Sequence, residues 1–189
     1  MREGTMYRLQ VVLLASILTL LSGCASVVSL HPLAMLNDKE RFLDPALLGT
    51  WDEVKTDKGG WRTRYKVGRS ESGYSVTAGP EEIKGTMQIL KVGDRYLLDV
   101  YCASEGAPPP VHLFFKLRLD KDAAWVAEMD SNWLKGEINT RGQLRHEVLS
   151  EDGGRIVLTA SPTDLRRYLL PYFADDRSFG EETELRRIK

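Results

Sequence analysis

Val111-His112-Leu113-Phe114-Phe115-Lys116-Leu117-Arg118-Leu119-Asp120 is the longest clean alternation in the chain. Val111, Leu113, Phe115, Leu117 and Leu119 fall on one face, with His112, Lys116 and Arg118 on the other. A period of two with one apolar side is the pattern of a half-buried strand. Lys121-Asp122 then turns the chain into a second run, Ala123 to Met129. So short a link joins antiparallel neighbours, because a parallel crossover needs about a dozen residues or more.

The same reading extends upstream. Trp61, Thr63, Tyr65 and Val67 alternate with Arg62, Arg64 and Lys66, an apolar face backed by a cationic one. That cationic face is either a docking surface for anionic headgroups or glycans, or a solvated wall that keeps an exposed sheet from aggregating. Gly59-Gly60, Gly68 to Gly73, Gly79-Pro80 and Gly93-Asp94 punctuate further short strands at Tyr74 to Ala78, Ile83 to Val92 and Arg95 to Tyr101. Ala103 to Pro110, with its three consecutive prolines, reads as an irregular loop. Thr50-Trp51 opens the first strand of the meander. It follows Asp44-Pro45-Ala46-Leu47-Leu48-Gly49, a short helix with Asp as N-cap, Pro at the first position and Gly at the exit.

Downstream, Asp130-Ser131-Asn132 caps a brief helix carrying Trp133 and Leu134, and Gly136 shortens it. Arg145 to Leu149 and Arg155 to Ala160 form a hairpin around Glu151-Asp152-Gly153-Gly154. Ser161-Pro162-Thr163-Asp164 starts a helix whose Leu165, Tyr168, Leu169 and Tyr172 recur at helical spacing, so one face docks on the sheet. Pro171 ends or kinks it, and Glu182 to Ile188 adds a last strand.

The amino terminus follows different rules. Arg2 and Arg8 give a basic start, and Val11 to Leu21 is apolar apart from Ser16 and Thr19. Eleven residues are too few to cross a bilayer, which takes about 20, so the run reads as a signal peptide starting at Met1 or Met6. Leu21-Ser22-Gly23-Cys24 resembles the bacterial lipobox, a Leu, two small residues and a Cys. The resemblance implies cleavage after Gly23 and acylation of Cys24. It therefore implies a membrane partner through the acyl chains and a place in the cell envelope. Ala25 after the cysteine, in place of Asp, implies the periplasmic face of the outer membrane. The expected organisation is a signal peptide over 1–23, a lipidated Cys and tether over 24–43 with Ala25 to Leu30 as a short spacer, and one β domain over 44–189.

Composition limits the function classes. Without 1–23 the chain is 166 residues, enough for one domain with a sizeable core. Removing Arg2, Arg8 and Glu3 leaves 24 basic and 26 acidic residues, net −2, which draws no nucleic acid electrostatically. With Cys24 acylated, Cys102 has no partner, so the domain stands on its hydrophobic core without a disulfide; the thiol is either buried and inert or exposed. His31, His112 and His146 are dispersed and fall in no catalytic or metal-binding motif, so neither catalytic residues, a metal nor a cofactor is expected. Asp175-Asp176 with Glu181-Glu182 is acidic but lacks calcium-loop spacing and reads as a solvated loop.

A short helix, Gly49-x-Trp51 at the first strand, an antiparallel meander, an outer helix and a last strand carrying Arg186 and Arg187 together resemble the calycin class of lipocalin-like barrels. In that class the tryptophan packs at the closed end with a late arginine lying across it. The resemblance implies that Gly49, Trp51 and Arg186, or its neighbour Arg187, close the barrel. Ser29-Leu30-His31-Pro32-Leu33, Phe42 to Trp51, Val157 to Ser161 and Ala174-Asp175-Asp176 with Phe179 are also similar to a family of uncharacterised bacterial lipoproteins, which supplies no activity. The expected fold is mostly β, a single antiparallel lipocalin-like barrel or half-barrel of about 8–10 short strands with a C-terminal helix packed outside. Two functions fit it. One is a carrier holding a small apolar ligand among inward residues such as Tyr65, Met87, Leu98 and Phe115. The other is an envelope assembly or interaction module with a filled barrel that meets an envelope protein.

Overall fold

Alternation continues through eleven strands in the computed structural model, which describes residues 27–35, 41–54, 63–79, 83–103, 110–142, 144–149 and 155–188. The strands are β1 (Val27–Ser29), β2 (Gly49–Glu53), β3 (Arg64–Ser70), β4 (Gly73–Ala78), β5 (Ile83–Val92), β6 (Arg95–Cys102), β7 (Val111–Asp120), β8 (Ala123–Glu128), β9 (His146–Val148), β10 (Ile156–Leu158) and β11 (Thr183–Ile188). Two helices, α1 (Ser131–Arg141) and α2 (Pro162–Leu169), fall between β8 and β11. The lipobox, Trp61, the turn around Gly153-Gly154 and most of the proline loop lie outside the described residues.

Eight strands close into an antiparallel barrel in the order β6-β5-β4-β3-β2-β11-β8-β7, with β6 pairing β7 to complete the ring. Tight turns explain the order. Val92 pairs with Arg95 across Gly93-Asp94, and Gly93 takes the left-handed conformation (φ 64°) that such a turn requires. The short turns after β3, β5 and β7 share one end with the 3-10 turn Pro45–Leu47, which closes the barrel. The connections from β2 to β3, β4 to β5 and β6 to β7 leave from the other end, the mouth.

The wall of the barrel separates two cores. On β7, Leu117 packs inward while Phe114, fully buried, packs outward; on β6, Leu98 and Leu97 divide in the same way. The inner core is built around Trp51, Tyr74, Met87, Ile89, Leu98 and Leu117. The outer core lies between the wall and the helices, where Phe114 joins one cluster with Leu134 and Ile138 of α1 and Leu165 and Leu169 of α2. Burying one such side chain contributes roughly 1.5–3 kcal/mol, so both faces of the wall are held by apolar contact. Each helix is capped as its sequence directs. Asp130 Oδ1 accepts from the Trp133 N–H at 2.7 Å, and Ser161 Oγ accepts from the Asp164 N–H at 3.2 Å. Gly136 does not shorten α1, which runs eleven residues.

One expectation is corrected. The spacer Ala25 to Leu30 contains β1: Val27 to Ser29 pair in parallel with β10, Val28 and Ser29 also pair antiparallel with β7, and Val27 is fully buried. The domain therefore begins inside the stretch expected to be tether, because Val27, facing the outer core, gains more by burial than by remaining in a linker. The barrel's eight strands fall within the expected 8–10, and three further strands lie outside it. Beyond the barrel, β1, β10 and β9 continue the sheet from the mouth half of β7, in the place β8 leaves when the chain turns away into α1.

Candidate functional site

The barrel interior grades from filled to open. At the closed end Trp51, Tyr74, Met87, Ile89, Leu98, Leu117 and Ala124 are all buried and form a floor. Trp51 Nε1 donates to the Leu47 carbonyl at 2.9 Å, joining the 3-10 turn to β2. The Tyr74 hydroxyl accepts from the Asp44 N–H at 2.6 Å, and the Phe42 ring lies 4.4 Å from that of Tyr96. The Arg187 guanidinium stacks on the Trp51 ring at 4.4 Å and donates to the Leu48 carbonyl at 2.6 Å.

Toward the mouth the inward side chains remain apolar but are only partly covered. Tyr65, Val100, Phe115 and Val126 all pack against the inner core while keeping some solvent exposure. The register carries the same face up to Cys102, which pairs with Gly85 on one side and Val111 on the other. A side chain at Gly85 would meet the Tyr101 carbonyl at 2.7 Å, so the wall there is closely drawn. Burial pushes the Cys102 thiol above its ordinary range and, aided by the Glu53 carboxylate, does the same to the Tyr65 phenol. Both groups are therefore neutral at physiological pH. The upper half of the barrel is an apolar cup in which the Cys102 thiol and the Tyr65 phenol are held in their protonated forms.

A second concavity lies on the outer wall, under the segment that follows β1. It encloses about 490 Å³ between Pro32, Ala34 and Met35 on one side and Thr86, Gln88, Asp99, Tyr101 and His112 on the other. Asp99, 3 % exposed, accepts through Oδ2 from the N–H groups of Leu33 (2.7 Å) and Ala34 (2.8 Å). Its Oδ1 lies 2.6 Å from His112 Nδ1. Arg166 Nη1 donates to the Leu33 carbonyl at 3.0 Å, so the Leu33-Ala34 turn is held on both its donor and its acceptor sides. Gln88 Oε1 faces this region buried, with no hydrogen-bond partner among the described residues.

The four interior residues named from sequence, Tyr65, Met87, Leu98 and Phe115, all line the inner core, Met87 and Leu98 in the floor and Tyr65 and Phe115 in the cup. Gly49 and Trp51 sit at the closed end. Gly49 adopts φ 129°, and a Cβ on it would lie 3.1 Å from Arg187 Nη1, so this glycine makes room for the arginine. Arg186 is the wrong member of its pair. Residues 185 and 187 of β11 point inward, whereas Arg186 points out and pairs with Glu184. The acidic loop is ion-paired and not merely solvated: Asp176 meets Arg95 and Lys116, Glu182 meets Arg118, and Asp175 meets Arg177.

Asp99 and His112 escaped sequence reasoning. The sequence placed His112 only on the polar face of its strand, yet it bonds a buried carboxylate on the neighbouring strand. Aspartate in the middle of the apolar run Tyr96 to Tyr101 was the available signal, since a buried carboxylate needs partners. Among the described residues no cluster of His, Cys, Asp and Glu is placed to hold a metal ion, and no helix is long and apolar enough to cross a membrane. No family model, curated protein or solved structure matches this chain.

Proposed function

We propose that this is a lipid-anchored, non-enzymatic cell-envelope protein that binds a small apolar ligand in the open half of its barrel. The acyl chains on Cys24 hold it at the periplasmic face of the outer membrane. The observation that carries the ligand reading is the gradient inside the barrel: the lower half is filled by Trp51, Met87, Ile89 and Leu98, while Tyr65, Val100, Phe115 and Val126 above them are apolar, inward and incompletely covered. A closed barrel of eight strands leaves room for about one small ligand, and an apolar cup above a packed floor suits a short or compact one. The membrane reading rests on the signal-like start and the Leu21-Ser22-Gly23-Cys24 order.

Cys102 provides a reporter in the cup. The full-length protein, purified from membranes in detergent, is treated with a maleimide with and without medium-chain fatty acids, and native mass spectrometry of the same preparation shows any copurified ligand. The expected result is a bound lipid-sized mass, or Cys102 alkylation slowed at least about fivefold by an added fatty acid with a rise in melting temperature. A ligand-free mass together with unchanged alkylation and melting would overturn the carrier reading in favour of an interaction module. That alternative draws support from the filled floor, which leaves the lower half of the barrel no room for cargo. Replacing Cys24 by Ser should release the protein from the membrane fraction; a variant that stays there would remove the anchor from the argument.

A further inference from the structure

Closure of the barrel leaves β9 as the free edge of the sheet among the described strands. At the end of that edge Val148 is 46 % and Leu149 66 % exposed. Val148 pairs with Ile156, and Ile156 pairs with Val27. Neighbouring strands are about 4.8 Å apart, so Val148 lies about 10 Å across the sheet from Val27. Cys24 precedes Val27 by three residues, a reach of about 11 Å at full extension. The proposed point of lipid entry and the apolar end of the hairpin therefore share one end of three adjacent strands.

Alternation puts Val148 on the face that Val27 and Ile156 turn to the outer core, and Leu149 on the opposite face. Packing another element on one side of the strand would cover only one of them. An interface entered from the end covers both. Building on the lipid anchor proposed above, we infer that Val148 and Leu149 rest in the bilayer interface beside the acyl chains, a second membrane contact that holds the barrel in one orientation. The edge of β9, which no other described strand pairs, then faces sideways into water and its backbone groups stay hydrated. β1 runs antiparallel to β7, so its anchored end points toward the closed end of the barrel and the mouth is turned away from the membrane.

A second copy of the chain fits the same edge less well. Antiparallel pairing of two β9 strands reverses one copy relative to the other, so the two Cys24 anchors, each on a three-residue reach, would leave in opposite directions and could not enter one leaflet.

The test uses the full-length lipoprotein in phosphatidylcholine–phosphatidylethanolamine vesicles, with an environment-sensitive fluorophore on Leu149→Cys or on Lys84→Cys near the mouth, each in a Cys102→Ser background. Vesicle-bound protein should show the Leu149 label blue-shifted and at least about threefold less accessible to aqueous iodide than the Lys84 label. Equal quenching at the two positions on vesicle-bound protein overturns the contact while leaving the anchor intact. Failure of the protein to float with vesicles overturns the anchor, and the contact with it. Protection at Leu149 that rises with protein density and disappears on dilution assigns the edge to a second copy and overturns the bilayer contact.

Discussion

Arg186 and Arg187 differ by one position and face opposite sides of the wall, so substitutions at the two should have very different effects. Arg187 is mostly covered: it stacks on Trp51, donates to the Leu48 carbonyl and lies 3.5 Å from Asp122, whereas Arg186 is largely exposed beside Glu184. Arg187→Ala removes a cation–π contact and leaves a carbonyl near the closed end without its donor. The two effects together are expected to cost about 2–3 kcal/mol. Arg186→Ala should stay within about 0.5 kcal/mol, as exposed substitutions do. Chemical denaturation of the two variants checks this, and equal losses would show that the stacking does not matter to the closed end. Lysine at 187 should recover only part of the loss, since an ammonium does not reproduce the planar stack and the fixed fork. The choice between these residues was open in the sequence because it depends on the register of β11 against β2, where Arg187 pairs with Trp51. A one-residue slip would have exchanged their roles.

Elements were legible wherever one periodic face met one core. The run Val111 to Asp120, the caps at Asp44, Asp130 and Ser161, and the last strand all appear as read, because alternation and capping act over a few residues. β1 was hidden since Val27, Val28 and Ser29 are too few to show a period, and their partners lie some 85 and 130 residues away. The Asp99–His112 pair joins two strands diagonally, a relation that no local spacing records. The 3-10 turn Asp176–Ser178 was read only as an acidic loop, yet it is tied to β6 and β7 through Asp176, and this makes its hold on the barrel sensitive to acid. The hydrogen bond from Arg95 and, after it, that from Lys116 lower the Asp176 carboxyl from 3.8 to about 2. Above about pH 5 the carboxylate is ionised in both folded and unfolded chains and its stabilisation is complete. As pH falls from there the unfolded chain takes up the proton first, and the contribution is gone once pH drops through about 2. Glu182, lowered chiefly by Arg118, acts in the same direction. Asp176→Asn should therefore unfold at lower denaturant than the parent protein at pH 5, with the gap narrowing steadily toward pH 2 and shrinking in high salt. A gap independent of pH would mean that the carboxylate's charge contributes nothing.

The whole molecule is two cores back to back on one wall, and that arrangement decides how it comes apart. Phe114 and Phe115, or Leu97 and Leu98, are adjacent in the chain yet belong to different cores, so neither core can lose its packing while the strands that carry the other remain in place. The amino-terminal strand strengthens the coupling, because Val27 is buried in the outer core while Leu33 and Ala34 just after it are bonded to Asp99 in the barrel wall. A barrel with a detachable helical layer would unfold in two steps, outer core first. A shared wall instead predicts one cooperative transition, as small single domains usually show. Trp51 reports on the inner core, and Trp133, which meets Tyr172 edge-on at 5.0 Å and packs against the outer core, reports on the other. Two variants, one keeping Trp51 and the other Trp133 while phenylalanine replaces the other three tryptophans, separate these signals. Their fluorescence transitions in urea are expected to coincide with each other and with loss of far-ultraviolet dichroism, after correction for each variant's own stability. An earlier Trp133 transition would mean that α1 and α2 form a separable layer. Leu134→Ala distinguishes the cases further. A cavity of that kind costs about 2–5 kcal/mol, and in a single cooperative unit the loss must appear in full at Trp51, on the far side of the wall.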